Sequence, residues 1–380
     1  MLMNPFNPYY PAEAKFFSNR KREQEWFKNG LLPSLHPDGP GPWNAAILGP
    51  WGIGKSSLVR RLKEMAEESD IPTSAVFISC TTGYGSMTGF VKALIGNVKE
   101  ELLSISNWSE SIREELERWS VQIKIPGISL SRSQKNETDS VNAAELLRSS
   151  LRRFWENILE PMGRTLLLIL DDANLLQAMD PQALMILRAV FQDLQMYRAR
   201  YGLVITGPPG LFGEVREIAE PVTRFFEHIP LREFSPEDIV DAIRHPLAQV
   251  NAPFEVADDA IFWIWERTKG HPYFVTFIMR DIVEEAKRHD LKIIDKSVCK
   301  KIWPMILRHL ETDKFTIEWQ SATPTEREVL KILSSGRSIG DGKRGLLTRL
   351  VRKNLVIKVE RGQYELYHPL FSDFVRNQET

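Results

Sequence analysis

Residues 49 to 56 read Gly49-Pro50-Trp51-Gly52-Ile53-Gly54-Lys55-Ser56, and no other run among the 380 residues restricts the fold as tightly. A Gly-x-x-x-x-Gly-Lys-Ser run binds phosphate only where a strand delivers it and a helix follows. The glycines let backbone N–H groups curl round an anion, and the helix turns its positive end toward it. Both neighbours are in place. Asn44 to Leu48 is a short apolar run that predicts a buried strand, and Ser56 to Ser69 carries apolar residues at helical spacing. The cradle is therefore expected to comprise Gly49, Pro50, Trp51, Gly52, Ile53, Gly54, Lys55, Ser56 and Ser57. Lys55 is expected to meet the β and γ phosphates of ATP. The Ser56 hydroxyl is expected on Mg²⁺, a hard cation that takes oxygen ligands and few protein groups.

A second element supports the first. Leu166-Leu167-Leu168-Ile169-Leu170 runs into Asp171-Asp172, the pattern of a buried strand that delivers carboxylates to its C-terminal edge. Asp171 is expected to bind Mg²⁺ through water. Asp172 stands where a general base orients an attacking water, and because Asp is shorter than the Glu more often used there, slow hydrolysis is expected. Taken without the loop, two acids after an apolar strand would only be a strand cap. With it, they predict a Mg²⁺-dependent ATPase.

Composition narrows the class by exclusion. With 43% hydrophobic and 26% charged residues the chain is neither collagenous nor wholly disordered. A formal net charge of -1 gives no global field for nucleic acid, so any such contact must be local. Cys80 and Cys299 have no metal or redox spacing and read as buried thiols of a reducing compartment. No apolar run reaches the ~20 residues of a membrane helix, and residues 1–11 lack the order of a secretory signal. A soluble, cytoplasmic protein with no membrane partner is expected.

Four parts are expected. Residues 1–42 form an N-terminal extension, with a helix over Glu13 to Leu32 and a Pro- and Gly-rich linker over Pro33 to Pro42. Residues 43–230 form the core. Strands at Asn44–Leu48, Ala75–Cys80, Leu166–Leu170 and Leu203–Thr206 alternate with helical stretches such as Thr88–Ser104, which implies parallel crossovers and an α/β three-layer sandwich. Between Glu110 and Ser150 that rhythm breaks: Val121–Leu130 reads as a small β-ribbon and Ser131–Ser140 as a polar loop, with no function attached. Residues 231–315 form a helical lid, opened by the cap Ser235-Pro236-Glu237-Asp238. Residues 316–380 read helix, helix, hairpin, a winged helix-turn-helix.

The order of these features resembles the AAA+-related ATPases of the STAND class, especially the archaeal-type prokaryotic ATPases, and is similar to the origin-recognition ATPases. The residues that carry the likeness are Phe17-x-x-Arg20-x-x-Glu23, the phosphate loop, Asp171-Asp172, Leu203-Val204-Ile205-Thr206-Gly207, Pro221-Val222-Thr223-Arg224-Phe225, Gly270-His271-Pro272 and Tyr367-His368-Pro369-Leu370-Phe371. The resemblance implies that the Phe17 to Glu23 stretch, Arg20 included, flanks the adenine, that Thr206 is a polar sensor of the γ-phosphate or attacking water, and that Arg224 is an arginine finger for a neighbouring subunit. It further implies that His271 and Pro272 touch the β-phosphate. Each has a plain alternative: a surface charge, a strand terminus, a structural arginine, a helix-start turn. Two departures from the resemblance are read in these 380 residues: no long sensor repeats of the STAND kind, and no clear second arginine sensor in the lid, where Arg280 is a candidate only by position.

The stretch Lys343 to Asn354 carries Lys343, Arg344, Arg349, Arg352 and Lys353, cations that a recognition helix would offer to DNA phosphates. The same stretch has Leu346, Leu347, Leu350 and Val351 on one face, as an ordinary amphipathic helix does. Two functions are compatible with this pattern. One is an ATP-hydrolysing switch that self-associates with ATP and signals to a protein or DNA client. The other is an ATP-dependent initiator, loader or transposition regulator that holds duplex DNA with its winged helix.

Overall fold

The computed structural model describes residues 3–104, 114, 132–213, 220–339, 343–360 and 362–378. It divides into two compact units, Arg20–Gly49 with Lys55–Leu231, and Met1–Asn19 with Pro50–Gly54 and Arg232–Thr380.

The first unit begins with α1 (Lys21–Trp26), which runs on through Phe27–Leu31 and Leu32–Ser34. Its sheet comprises β1 (Asn44–Leu48), β2 (Thr73–Ser79), β3 (Thr165–Asp171), β4 (Tyr201–Gly207) and β5 (Glu227–Pro230), all parallel in the order β2-β3-β4-β1-β5. Its helices are α2 (Lys55–Glu67), α3 (Met87–Ser104), α4 (Arg132–Phe154), α5 (Asn174–Met179), α6 (Ala183–Met196) and α7 (Glu220–Phe225). Strands β1, β3 and β4 are buried at every position, the continuous apolar texture of a parallel sheet covered on both faces. Alternation sorts the two faces. Leu166, Leu168 and Leu170 join one core with Phe90 of α3, Leu147 of α4 and Leu187 of α6. Leu167 and Ile169 point the other way, toward the side where α2 packs on β2 and β3. This is the expected three-layer P-loop sandwich.

The second unit is built from α8 (Asp238–Gln249), the short strands β6 (Glu255–Val256) and β7 (Ile293–Ile294), α9 (Asp258–Thr268), α10 (Pro272–Arg288) and α11 (Lys296–Leu310). There follow α12 (Pro324–Ser334), α13 (Arg344–Arg352), the antiparallel hairpin β8 (Val356–Glu360) and β9 (Gln363–Leu366), and α14 (Pro369–Arg376). One apolar core joins Phe6, Phe274, Phe277, Phe315, Phe371 and Phe374 across this unit. Two caps fix helix starts. The Ser235 hydroxyl accepts from the Asp238 N–H and the Asp238 carboxylate from the Ser235 N–H, both at 3.1 Å. Thr323 and Glu326 make the equivalent reciprocal pair at the head of α12.

Three expectations need correction. The helix over Glu13–Leu32 is interrupted: a 3₁₀ turn covers Ala14–Phe16, Asn19 and Arg20 take left-handed backbone with φ of 69° and 56°, and α1 starts at Lys21. The stretch Pro33–Pro42 is not a free linker, because Leu35 is fully buried and the Ser34 hydroxyl bonds both the Leu31 carbonyl and the Trp43 N–H. Helix α4 already covers 132–140, where a loop was expected, since its polar residues have no proline or glycine to break the helix. The β-ribbon expected over Val121–Leu130 lies outside the described residues.

Candidate functional site

Parallel pairing decides what meets at the sheet edge. Strand β4 lies between β3 and β1, with Leu170 beside Ile205 and Ile47 beside Thr206. Thr206 is therefore set between the strand that ends in Asp171 and the strand that opens into the phosphate loop. The Thr206 hydroxyl donates to Asp171 Oδ1 at 2.5 Å and accepts from the Asp172 N–H at 2.8 Å. Both Thr206 and Asp171 are buried. The Thr206 carbonyl takes the Ala173 N–H at 2.9 Å, and the Asp171 carbonyl takes the Cys80 N–H at 2.8 Å. Bonded on both sides, the backbone at Asp172 holds a φ of 56°, a conformation tolerated by Asp but uncommon outside glycine.

Helix α2 starts at Lys55, whose ammonium donates to the Gly49 carbonyl at 2.9 Å. Burial pulls the Lys55 pKa down, while the charges of Asp172 and Asp171 act against that fall. Burial raises the Asp172 carboxyl, the Asp171 charge raises it further, and Lys55 opposes both. The Cys80 thiol is pushed up to about 12, by burial first and then by the same two aspartates, so it stays protonated and inert as a nucleophile. The charges of Lys55, Asp171 and Asp172 thus act on one another, and the Thr206 hydroxyl bridges the two aspartates. Asn174, two residues beyond Asp172, has a buried side-chain oxygen with no protein partner among the described residues.

The middle of the loop, Pro50–Gly54, groups with the second unit. Gly52 and Gly54 have φ of +75° and +94°, the left-handed backbone that turns successive N–H groups toward one point. A side chain on Gly54 would meet nothing within 4 Å, so that part of the cradle is open. Gly52 is crowded: an added Cβ would lie 2.9 Å from the His271 ring and 2.9 Å from Tyr273 Cβ. The Gly52 carbonyl accepts the Tyr273 N–H at 3.1 Å. His271, buried, immediately precedes α10, and Pro272 opens that helix. With this backbone, Lys55 in the first turn of a 13-residue helix and Ser56 next to it, the residues fit a polyphosphate.

The remaining candidates stand elsewhere. Arg20 is buried at the start of α1. Arg224, exposed on α7, lines a surface groove of about 350 Å³ with Arg188, Gln192, Gln195, Pro221 and Phe225. Arg280 is engaged within its own unit, ion-paired to Asp281 at 2.8 Å and lying 4.2 Å over the Phe277 ring. Residue spacing does not place Cys80, a buried thiol, beside Asp171 and Asp172. The only signal that finds Cys80 is register, since Ser79 pairs with Asp171 at the end of β2.

Residues 30–205 match the AAA ATPase domain family. No curated protein matches the chain by sequence. Among solved structures, a Walker-type ATPase of Pyrococcus abyssi is 15% identical with TM-score 0.56, over 95% of this chain and 96% of its own. The ORC2 protein of Aeropyrum pernix, solved with ADPNP and ADP, is 12% identical with TM-score 0.55, over 96% and 97%. The ORC1 protein of the same organism, solved with DNA, is 15% identical with TM-score 0.51, over 94% and 92%. At these identities the likeness is one of fold. No helix among the described residues is long and apolar enough to cross a membrane. The chain is a nucleotide-binding ATPase: residues 30–205 match the AAA ATPase domain, and the chain as a whole has a fold similar to those of the Walker-type ATPase of Pyrococcus abyssi and the ORC2 protein of Aeropyrum pernix.

Proposed function

We propose that the chain is an ATP-driven switch that self-associates in its ATP state and is reset by hydrolysis. The observation that carries this reading is the bond from the Tyr273 N–H to the Gly52 carbonyl, with His271 packed on the same glycine. A loop so joined to the head of α10 cannot change its backbone without moving that helix. The four expected parts, 1–42, 43–230, 231–315 and 316–380, serve as extension, motor, lid and winged-helix output in this proposal.

Lys55 and the loop N–H groups would hold the phosphates, and Ser56 with Asp171 would hold Mg²⁺. When bound, ATP would supply the γ-phosphoryl group and Mg²⁺ would draw charge from its oxygens. Asp172 accepts a proton from the attacking water, a role that suits a carboxyl whose pKa is raised by burial and by Asp171. Thr206 keeps Asp171 and Asp172 in register through its hydroxyl. Arg224 stands exposed, as a group that completes the site of a second copy must be. Arg20 is assigned to the adenine side, and His271 with Pro272 to the β-phosphate side.

A DNA client is the second reading, favoured by the exposed Arg344 and Arg352 on α13. Against it, Lys353 and Arg349 of the same stretch turn to the buried Glu326, at 2.7 and 3.7 Å. One experiment separates the readings: ATP turnover per chain against protein concentration, with and without duplex DNA, and with Lys55→Ala as blank. The switch reading expects turnover to rise with concentration and Arg224→Ala to lose that rise while keeping ATP affinity. A concentration-independent rate, unchanged in Arg224→Ala, rejects self-association. Stimulation by DNA that vanishes when 323–380 are deleted moves the assignment to a DNA-dependent ATPase.

A further inference from the structure

Trp51 occupies a loop position where the phosphate-binding pattern asks for no particular side chain, and it is half-exposed. Its ring is nevertheless held. Lys314 Nζ lies 3.8 Å from the Trp51 ring centroid, 5.0 Å from Tyr273 and 5.4 Å from Tyr367, so one ammonium is boxed by three aromatic rings. Trp51 and Tyr273 also contact each other, centroids 4.7 Å apart. Lys314 is 8% exposed, and its charge is met by Glu318 at 2.6 Å. The other oxygen of Glu318 accepts the Tyr367 hydroxyl at 2.8 Å, and Tyr367 directly follows β9.

The placement of Lys314 is itself unusual. It sits in a π-helical turn, Glu311–Phe315, between α11 and the helical stretch Thr316–Ser321. Such turns insert one residue into a helix and rotate the residues beyond it, a cost that persists mainly where it aims a side chain. Burial lowers the Lys314 pKa while Glu318 opposes that fall. An ammonium in this position is desolvated, and its attraction to aromatic faces is correspondingly stronger than at an open surface.

We propose that Lys314 is a positioning residue for the ATPase reaction: boxed by Trp51, Tyr273 and Tyr367 and neutralised by Glu318, it holds the phosphate loop in its phosphate-binding shape and ties that shape to the C-terminal hairpin. The loop needs two left-handed glycines, and a loop with that freedom loses entropy when it binds. Anchoring Trp51 removes part of that loss beforehand. Because the anchor includes Tyr367, whatever engages the hairpin and shifts Tyr367 changes nucleotide affinity, and nucleotide acts on the hairpin by the same linkage.

The test is a double-mutant cycle read as the Kd for ATPγS with Mg²⁺, at protein concentrations below any at which turnover per chain rises. The result then reads the loop alone, whether or not the chain self-associates. Lys314→Met keeps the volume and removes the charge. It is expected to weaken binding about fivefold to tenfold, equivalent to ~1 to 1.4 kcal/mol. Trp51→Leu is expected to weaken it similarly, and the double variant to be no more than about twofold weaker than the worse single, because both break one contact. Tyr367→Phe, which keeps the ring and loses the bond to Glu318, is expected to weaken binding about twofold to threefold. Lys314→Met within twofold of wild type, or a double variant whose loss is the product of the singles, overturns the proposal. Should Lys314→Met fail to give the wild-type circular dichroism spectrum, Tyr367→Phe decides, and an unchanged Kd there overturns it.

Discussion

Thr206 carries two bonds on one hydroxyl, and their removal has a calculable consequence. Thr206→Val keeps the shape but leaves the buried Asp171 without its donor and the half-buried Asp172 N–H without its acceptor. Unmet buried groups of this kind cost about 1 to 3 kcal/mol. Urea unfolding of Thr206→Val is expected to show a loss of that size, together with a lower kcat and an ATP KM within a fewfold of wild type. A fall in KM alone would instead place Thr206 outside the carboxylate couple. The residues legible in the sequence are those whose chemistry is local: Lys55 and Ser56 follow from spacing, and Asp171 and Asp172 from the end of an apolar run. Lys314, Glu318 and Tyr367 are not legible there. Their box is assembled from three separate stretches of chain, and nothing in local pattern marks a lysine as one that will lose its water.

Among the elements, the loop between β1 and α2 is the most exacting. Gly52→Ala asks a Cβ to occupy a left-handed backbone and to lie 2.9 Å from both His271 and Tyr273. The backbone term alone is roughly 1 to 2 kcal/mol. This variant is therefore expected to lose measurable ATPγS binding and to unfold at a lower temperature. Retention of wild-type affinity would show that the loop does not need the Tyr273 bond. Thr323→Ala, which removes the hydroxyl half of the α12 capping box, is expected to cost about 1 kcal/mol in urea unfolding with no change in nucleotide affinity. The strands are legible in the sequence because β1, β3 and β4 are buried on both faces, and continuous apolar runs announce that. Helix α1 is less so. Residues 17–20 hold no proline or glycine to mark a break, and the positive φ of Asn19 and Arg20, invisible in the pattern, interrupts the helix.

At the scale of the whole molecule, two cores are folded from one chain, and the second spans everything from α8 to α14. Sequence texture carries no sign that the last hairpin and helix share a core with the helices α8 to α11. His368 is a buried titratable group packed against that core. It lies 4.0 Å from the Phe274 ring and 5.7 Å from His271, centroid to centroid, and its Nε2 faces the Thr268 carbonyl at 2.8 Å while Nδ1 accepts the Leu370 N–H. Burial lowers its pKa to about 4; the Thr268 carbonyl opposes this, and Lys314 and Lys269 add to the fall. Linkage then fixes the sign. Above about pH 6.5 the imidazole is neutral in both folded and unfolded chains, so its contribution to stability is complete. As the pH falls from there toward 4, the unfolded chain takes up the proton and the folded chain does not. Up to about 3 kcal/mol is then lost across that window. Wild type is accordingly expected to lose thermal stability steadily between pH 6.5 and 4. His368→Gln, less stable at pH 7 but without this titration, is expected to give a flatter profile. Parallel profiles for the two proteins would assign the acid sensitivity to other groups and show that His368 takes up its proton at the same pH in the folded and unfolded chains.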